Sequence, residues 1–222
     1  MSKHRPMTVK EVRALIASAR HRYQTCRMVI RDWSDYRLIT EAAGHDWDGD
    51  EEAGEQVWRL WVEVDRAYAY LAVGAELPER FRVENERSGE LIGLAVRDGG
   101  RCWNWWLGEH TAGLADDCTD GFGELFLHFL DPSQTIGEDL EVIGEVEWTG
   151  RRAIGVRDHE GGGFFLGDAD EYDFLFDLER GVLLRMEAFR DGRTLAIEET
   201  IDVGFDEELD DGLFDGEECR AA

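Results

Sequence analysis

The chain of 222 residues carries a formal net charge of −26 at pH 7, because 50 Asp and Glu residues outnumber 24 Lys and Arg residues. This charge argues against a nucleic-acid partner and against anionic membrane surfaces, since both are bound largely through Lys and Arg. Hydrophobic residues make up 43% of the chain, which argues against global disorder. The acidic surface is expected to keep the protein soluble, and a basic protein partner stays open.

The cysteines and the N-terminus bear on the cellular compartment. Cys26, Cys102, Cys118 and Cys219 are far apart and form no CxxC pair, so neither a zinc site nor a dense disulfide framework is indicated. Basic residues interrupt the apolar positions of residues 1–23, so no signal peptide is predicted. No apolar run approaches the roughly 20 residues that span a bilayer. We therefore expect free thiols, no membrane span and a cytoplasmic localisation.

The opening segment predicts an amphipathic helix of about four turns. Thr8 and Glu11 have the spacing of a capping box at its start. An apolar stripe at helical spacing follows: Val12, Leu15, Ile16, Ala19 and Tyr23. A strand is predicted next, over residues 26–33. Ser34 is then expected to cap a second short helix that runs through Ala42 and ends at Gly44.

A strand pattern with a period of two begins near residue 55. One face carries an apolar set: Trp58, Leu60, Val62 and Val64. The opposite face carries a mostly polar set: Arg59, Trp61, Glu63 and Asp65. Further strands are predicted over residues 81–83 and 91–96.

The densest aromatic stretch follows a hairpin signal at residues 98–100. Alternation along residues 102–106 sends Trp103 and Trp105 to one face and Trp106 to the other. A tryptophan offers a large, rigid apolar surface, so these rings are candidates for a ligand platform. The alternative is that Trp103 and Trp105 pack on the opening helix.

A helical pattern lies between the aromatic stretch and the second half of the chain. Its apolar face contains four side chains: Phe122, Leu125, Phe126 and Phe129. His128 lies off this stripe and is predicted to be exposed, and Pro132 ends the helix. Strands and tight turns then alternate, with turns at residues 149–150, 179–181 and 191–192. The pattern predicts a mainly β protein with an antiparallel sheet of eight or more strands.

Three stretches, in this order, resemble the LolA-like lipoprotein-carrier superfamily. Residues 77–106 contain a Pro-x-x-x-Arg strand, an Asp-Gly turn and an aromatic strand. Residues 130–157 contain a Leu-Asp-Pro helix end and a Gly-Arg hairpin, and residues 176–214 contain the closing hairpins and a terminal Leu-Phe. With the opening helix, the resemblance covers about residues 8–214.

The resemblance implies an incomplete antiparallel β-barrel of about 8 to 11 strands, wrapped around the N-terminal helix and a short central helix. It implies one domain over residues 1–222, with disordered tails at 1–7 and 215–222. The expected function is a binding module that holds a hydrophobic ligand (a lipid, an acyl group or an apolar metabolite) in the concave face. The alternative is a regulatory protein–protein interaction module whose hollow is filled by its own helices and side chains.

The candidate ligand-binding residues are aromatic: Trp58, Trp103, Trp105, Phe122 and Phe126. No catalytic or metal-binding residue is predicted. Asp46, Asp48 and Asp50 have the spacing of a calcium loop, but its twelfth position is Val57, which cannot supply a carboxylate. No Gly-x-Ser-x-Gly motif occurs, and the absence of lysine beyond Lys10 excludes a phosphate-binding loop. We therefore expect neither an enzyme nor a cofactor.

Overall fold

The structure of the protein, a computed structural model, describes residues 5–46, 49, 53–63, 69–70, 76–77, 80–99, 101–106, 109–114, 128–134, 136–159 and 169–216. The longer helices are α1 (Val9–Ala17) and α2 (Tyr36–Ala42). The strands are β1 (Thr25–Ser34), β2 (Gly54–Glu63), β3 (Ala69–Tyr70), β4 (Glu76–Leu77), β5 (Arg80–Arg87), β6 (Glu90–Asp98), β7 (Arg101–Trp106), β8 (Glu109–Leu114), β9 (Leu140–Trp148), β10 (Arg151–Asp158), β11 (Glu171–Asp177), β12 (Leu183–Arg190) and β13 (Arg193–Phe205). The protein is therefore mainly β, as predicted.

The strands form an 11-stranded sheet in the order β8-β7-β6-β5-β2-β1-β13-β12-β11-β10-β9, and β3 and β4 form a separate pair. The hairpin partners from β9 to β13 pair antiparallel. The same holds for β2 with β5 and for the pairs from β5 to β8. Because β8 and β9 are the outer strands, the sheet is open, which confirms the predicted incomplete barrel class.

The chain divides into two compact units. Unit 1 contains Met1–Arg22, Asp32–Glu55 and His128–Thr200. Unit 2 contains Tyr23–Arg31, Gln56–Leu127 and Ile201–Ala222. Each unit is assembled from three separate stretches of the chain, so neither is a continuous sequence segment.

Helix α1 of unit 1 begins at the predicted capping box. The Thr8 hydroxyl accepts a hydrogen bond from the Glu11 amide, and Glu11 accepts one from the Thr8 amide over 2.9 Å. The helix ends at Ala17, sooner than predicted. The Ser18 hydroxyl donates to the Leu15 carbonyl, and the chain tightens into a 3-10 turn at Ala19–His21. Serine favours such local bonds to the backbone over continued helix.

Helix α2 of unit 1 is capped one residue later than the sequence suggests. The Asp35 carboxylate accepts a hydrogen bond from the Leu38 amide over 2.8 Å, so Asp35 is the N-cap. Ser34 is the last residue of β1, and its hydroxyl donates to Asp32. Serine and aspartate both cap helix N-termini well, so the sequence alone does not decide which of the adjacent residues Ser34 and Asp35 is the N-cap.

The core of unit 1 combines α1 with aromatic residues of β11. Tyr172, Phe174 and Phe176 are each at most 1% exposed, and their rings stack in sequence. The turn after β11 approaches the helix closely: a Cβ on Gly181, whose φ is +77°, would lie 2.5 Å from the Leu15 carbonyl oxygen. The predicted opening helix is therefore part of the core of this unit.

Candidate functional site

The sheet of unit 2 has two faces, and the strand registers assign side chains to each. Trp58 is paired with Asn85, and Asn85 is paired with Gly93. Partners in an antiparallel ladder point to the same side of the sheet. We call this side the Trp58 face, and its buried side chains include Trp58, Leu60, Val62, Phe81, Val83, Asn85, Ala95, Arg97 and Cys102.

The opposite side of the unit 2 sheet, which we call the Trp103 face, carries Trp103 and Trp105. Trp103 is paired with Val96, and Trp105 is paired with Leu94. Both tryptophans pack with Phe214, which is 2% exposed, in one apolar cluster. A Cβ on the buried Gly216 would lie 2.0 Å from the Trp103 ring. The packing partner of these rings is thus the C-terminal segment, residues 209–216, part of which falls within the predicted disordered tail.

The predicted site residues are therefore not brought together. Trp58 lies on one face of the unit 2 sheet, and Trp103 and Trp105 lie on the other. Phe122 and Phe126 lie outside the described residues. Alternation assigns the side chains of one strand to the two faces of the sheet. Which faces of neighbouring strands coincide depends on their register, and a register shift of one residue moves every side chain of a strand to the other face.

Charged contacts hold the C-terminal segment on the unit 2 sheet. Arg80 lies 3.0 Å from Asp211 and 2.7 Å from Glu63, and its guanidinium lies 4.3 Å from the centre of the Phe214 ring. Arg82 donates a hydrogen bond to the Leu213 carbonyl over 3.2 Å. Exposed ion pairs contribute about 0–1 kcal/mol each, so the burial of Phe214 is the larger stabilising contribution.

A groove of about 500 Å³ lies beside this segment. Its lining is strongly charged: Arg59, Trp61, Arg82, Glu84, Asp210, Gly212 and Leu213. Both arginines already have carboxylate partners, since Arg59 bonds Glu86 and Arg82 bonds Glu84 over 2.7 Å. The volume suits a small ligand, but the charged lining does not suit an apolar chain.

Asn85 places a buried polar group on the Trp58 face. Its side chain is fully buried, and its Nδ2 donates a hydrogen bond to Gln56 Oε1 over 2.8 Å. Its Oδ1 has no hydrogen-bond partner among the described residues. Leaving such an acceptor unpaired destabilises a protein by about 1–3 kcal/mol. Sequence reasoning did not select Asn85, because its residue type is not unusual in a strand and only the structure shows that its Oδ1 lacks a hydrogen-bond partner among the described residues.

His128 in unit 1 is buried, so the prediction of an exposed side chain is wrong. The residue is 3% exposed, and its Nε2 lies 2.8 Å from Glu198 Oε2 on β13. Its ring also lies against Phe129, with the ring centres 4.5 Å apart. The helical stripe identifies one buried side of a helix, whereas contacts from a distant strand bury a second side.

The expectation of free thiols is also wrong at one residue. Cys102 is disulfide-bonded, whereas Cys26 is buried and forms no disulfide. Disulfides persist mainly in oxidising compartments. Cysteine usage therefore does not support the cytoplasmic localisation, which stays a prediction.

The described part of the chain contains no group of three or more His, Cys, Asp or Glu side chains placed to hold a metal ion. Asp48 and Asp50 of the acidic loop lie outside this part. None of the described helices is long and apolar enough to cross a membrane.

No family model matches the chain, and no curated protein matches it. Solved structures with a similar fold include an uncharacterized conserved protein from Thermus thermophilus, with 12% identity, 93% of both chains covered and a TM-score of 0.51. The MucA/MucB complex of Pseudomonas aeruginosa shows 14% identity over 94% of this chain and 61% of that chain, with a TM-score of 0.51. A LolA superfamily protein from Nitrosomonas europaea shows 8% identity over 96% and 99% of the chains, with a TM-score of 0.39.

At these identities the similarity concerns the fold alone. The chain spans 61% of the matched chain in the MucA/MucB complex and nearly all of the Thermus protein. The open antiparallel sheet with a buried opening helix is the architecture that the LolA resemblance implies. The chain shares its fold with the Thermus protein and with the matched chain of the MucA/MucB complex.

Proposed function

We propose that the protein is a binding module that holds a hydrophobic ligand, such as a lipid, an acyl group or an apolar metabolite, against the Trp58 face. The supporting observation is the continuity of this face. Apolar side chains from the adjacent strands β2, β5 and β6 form one layer, and none is more than 7% exposed. A continuous apolar layer of this kind matches an acyl chain, which has no polar group along its length to desolvate. Catalysis is not part of the proposal.

The Trp58 face is preferred over the Trp103 face because their surroundings differ. The C-terminal segment packs on Trp103 and Trp105, which are half-buried, whereas Trp58 is 6% exposed. The groove next to that segment presents two arginines and two carboxylates, and desolvating them would oppose the binding of an apolar chain. The Trp58 face combines apolar side chains with the amide of Asn85 and the guanidinium of the buried Arg97.

A second candidate is a regulatory module that binds a basic protein segment. Two observations favour it: the net charge of −26, and a unit 1 core occupied by the chain's own helix, in which Val12, Leu15 and Ile16 are buried. A solved structure with a similar fold contains MucB together with MucA. In this candidate no small ligand is needed, because the chain fills its own interior.

Solvent extraction of protein purified from cells tests the first proposal. We expect a stoichiometric apolar compound in the extract. Adding it back should raise the free energy of unfolding by about 2.7 kcal/mol at a hundredfold excess over Kd. A clean extract, together with no change in the unfolding midpoint across a panel of phospholipids and acyl esters, would contradict the ligand proposal and favour the interaction module.

Two tryptophans of β2 provide a matched pair of variants. Trp58 and Trp61 lie on the same strand but point to opposite faces. Trp58→Leu should weaken the ligand-linked stabilisation, whereas Trp61→Leu should leave it unchanged. For each variant, the unfolding midpoint with ligand is compared with the midpoint without ligand. A general loss of stability lowers both midpoints and is therefore not mistaken for weaker ligand binding. Equal losses in both variants would place the ligand elsewhere.

A further inference from the structure

Strand β9 in unit 1 is the outer strand at one end of the sheet, so one of its edges pairs with no other strand among the described residues. Its exposed residues are Glu141, Ile143, Glu145, Val146 and Glu147. Ile143 is 55% exposed and Val146 is 43% exposed, although both are large apolar side chains within a strand. An exposed edge strand is a template on which a further strand can form.

The hydrogen bonds of the β9–β10 hairpin show which main-chain groups of β9 point outward. The Arg152 carbonyl of β10 accepts a hydrogen bond from the Leu178 amide over 2.9 Å, so Arg152 is turned towards β11. Glu147 is the register partner of Arg152, and its main-chain groups therefore point away from β10. Because this direction alternates along a strand, Glu145 also points outward, whereas Val146 bonds to β10.

A bulge limits the regular part of this edge. Gly144 is paired with Gly155, but Val142 is paired with Val156, so Ile143 is an extra residue in β9. A bulge disrupts the ladder locally and bends the strand. The regular outer edge therefore consists of residues 144–148, which we call the β9 edge.

Side chains along the β9 edge alternate in character. Glu145 and Glu147 point to one side of the sheet, and Val146 points to the other. Directly opposed residues of an antiparallel pair have their side chains on the same side and interact. An added strand would thus place two of its side chains beside the glutamates and the one between them beside Val146. Glu145 already pairs with Arg152, but Arg152 is 66% exposed, so this ion pair contributes little and can be exchanged.

The charge of the β9 edge favours a basic partner over a second copy of the chain. All charged residues of β9 are glutamates, and each copy carries a net charge of −26. Pairing of two β9 strands would bring these charges together, and opposed like charges destabilise a sheet. The glutamates therefore hinder pairing between copies and attract a basic strand.

We propose that the β9 edge binds an extended segment of a partner protein, in which basic and apolar residues alternate, as an added antiparallel strand. The main-chain groups of Glu145 and Glu147 bond the segment, its basic side chains lie beside these glutamates, and its apolar side chain lies beside Val146. This inference rests on the second candidate function, the basic protein partner, and specifies the site and the sequence pattern of that partner. It does not depend on the ligand proposed for the Trp58 face.

Three peptides with the same sequence and charge test the added strand. The parent peptide alternates Arg and Val over about six residues, the usual length of a strand. One derivative is N-methylated at the Arg amides, which face β9 in the proposed complex, and the other at the Val amides, which face away. Calorimetric titration at about 0.15 M salt should show that Arg methylation weakens binding by about tenfold or more, because main-chain hydrogen bonds are lost. Val methylation should change the Kd by less than about threefold.

Each other outcome of the titration has a distinct meaning. Equal Kd values for all three peptides would overturn the proposal, because binding would then depend on charge alone, while the basic-partner function would stand. A parent peptide that does not bind also overturns the proposal. If an all-arginine peptide fails to bind as well, the second candidate function fails with it.

Two charge reversals in unit 1 test the position of the site. Glu147→Lys should weaken binding of the parent peptide by about 3- to 10-fold, because an attractive cross-strand pair becomes repulsive. Glu41→Lys is the matched control, since Glu41 is an exposed residue of α2 beside the β12–β13 turn. It makes the same change in net charge and should leave the Kd within about twofold of the wild type. Equal losses in the two variants would overturn the proposal.

Hydrogen exchange on the wild type detects the added strand without any variant. In the free protein the outward amides of Glu145 and Glu147 should exchange quickly, whereas the Val146 amide bonds to β10 and should be protected. The parent peptide should slow exchange at Glu145 and Glu147, and the Arg-methylated peptide should not. Binding of the parent peptide without protection of these two amides would overturn the proposal.

Discussion

The two units bury different ends of the chain. In unit 1, α1 comes first in the chain and buries Val12, Leu15 and Ile16 in a core that also contains the stacked rings of β11. In unit 2, residues from the other end of the chain cover Trp103 and Trp105. The Trp58 face of unit 2 is equally buried but contains the unpaired Oδ1 of Asn85.

Aromatic density by itself does not distinguish a binding site from a packed core. The three tryptophans at residues 103–106 first attract attention, yet Trp103 and Trp105 pack with Phe214 as an ordinary apolar cluster. The Trp58 face instead contains the buried Oδ1 of Asn85, which has no hydrogen-bond partner among the described residues. A packed core requires only apolar surface, whereas a specific ligand also requires a polar group that is positioned to meet it.

The largest expected effect tests the cover of the Trp103 face. Phe214 is 2% exposed, and Phe214→Ala should lower the free energy of unfolding by about 3–5 kcal/mol, as for other large-to-small core changes. Phe205→Ala in the same unit is the control, since Phe205 is only half-buried and should give a smaller loss. Urea denaturation measures both. A loss below about 0.5 kcal/mol for Phe214→Ala would show that the C-terminal segment is not docked.

The corresponding test in unit 1 concerns α1. Leu15 is 6% exposed, and Leu15→Ala should lower the free energy of unfolding by about 2–5 kcal/mol. Lys10→Ala changes an exposed residue of the same helix and should stay within about 0.5 kcal/mol of the wild type. Similar small effects of both changes would mean that α1 is peripheral, and the comparison of the two units would fail.

Two glycines with the same backbone conformation sharpen this test. Gly150 has a φ of +76° and open space around its Cα, whereas Gly181 has a φ of +77° and lies against Leu15. Gly150→Ala should lower stability by about 1–2 kcal/mol, from backbone strain alone. Gly181→Ala carries the same strain and adds a steric overlap with the Leu15 carbonyl, so its loss should be larger. Equal losses in thermal or urea unfolding would show that the turn and the helix are not in contact.

The smallest effect concerns the capping box of α1. The Thr8 backbone N–H and then the Thr8 hydroxyl lower the pKa of Glu11 below its ordinary value. A lowered pKa in the folded state adds stability that is present above the unfolded pKa, about 4.3, and is lost as the pH falls through the folded pKa. Wild type and Glu11→Gln should therefore differ at neutral pH and converge in acid. A difference that is independent of pH would contradict a role for the carboxylate charge.

The local elements could be predicted from the sequence because local rules decide them. The capping box at Thr8, the apolar stripe of α1 and the turn at Gly150 all depend on residues close together in the chain. The alternation along β2 likewise places Trp58 and Trp61 on opposite faces, whatever the partner strand. The number and order of such elements also sufficed to predict a mainly β protein with an open antiparallel sheet.

Tertiary structure alone decided which residues meet. The register between β5, β6 and β7 separates Trp58 from Trp103 and places it beside Asn85. The burial of His128 against Glu198 and of Phe214 against Leu94 joins residues that are distant in the chain. Sequence periodicity specifies a direction for each side chain within its own element, but a contact depends on two elements at once, and only their packing fixes both.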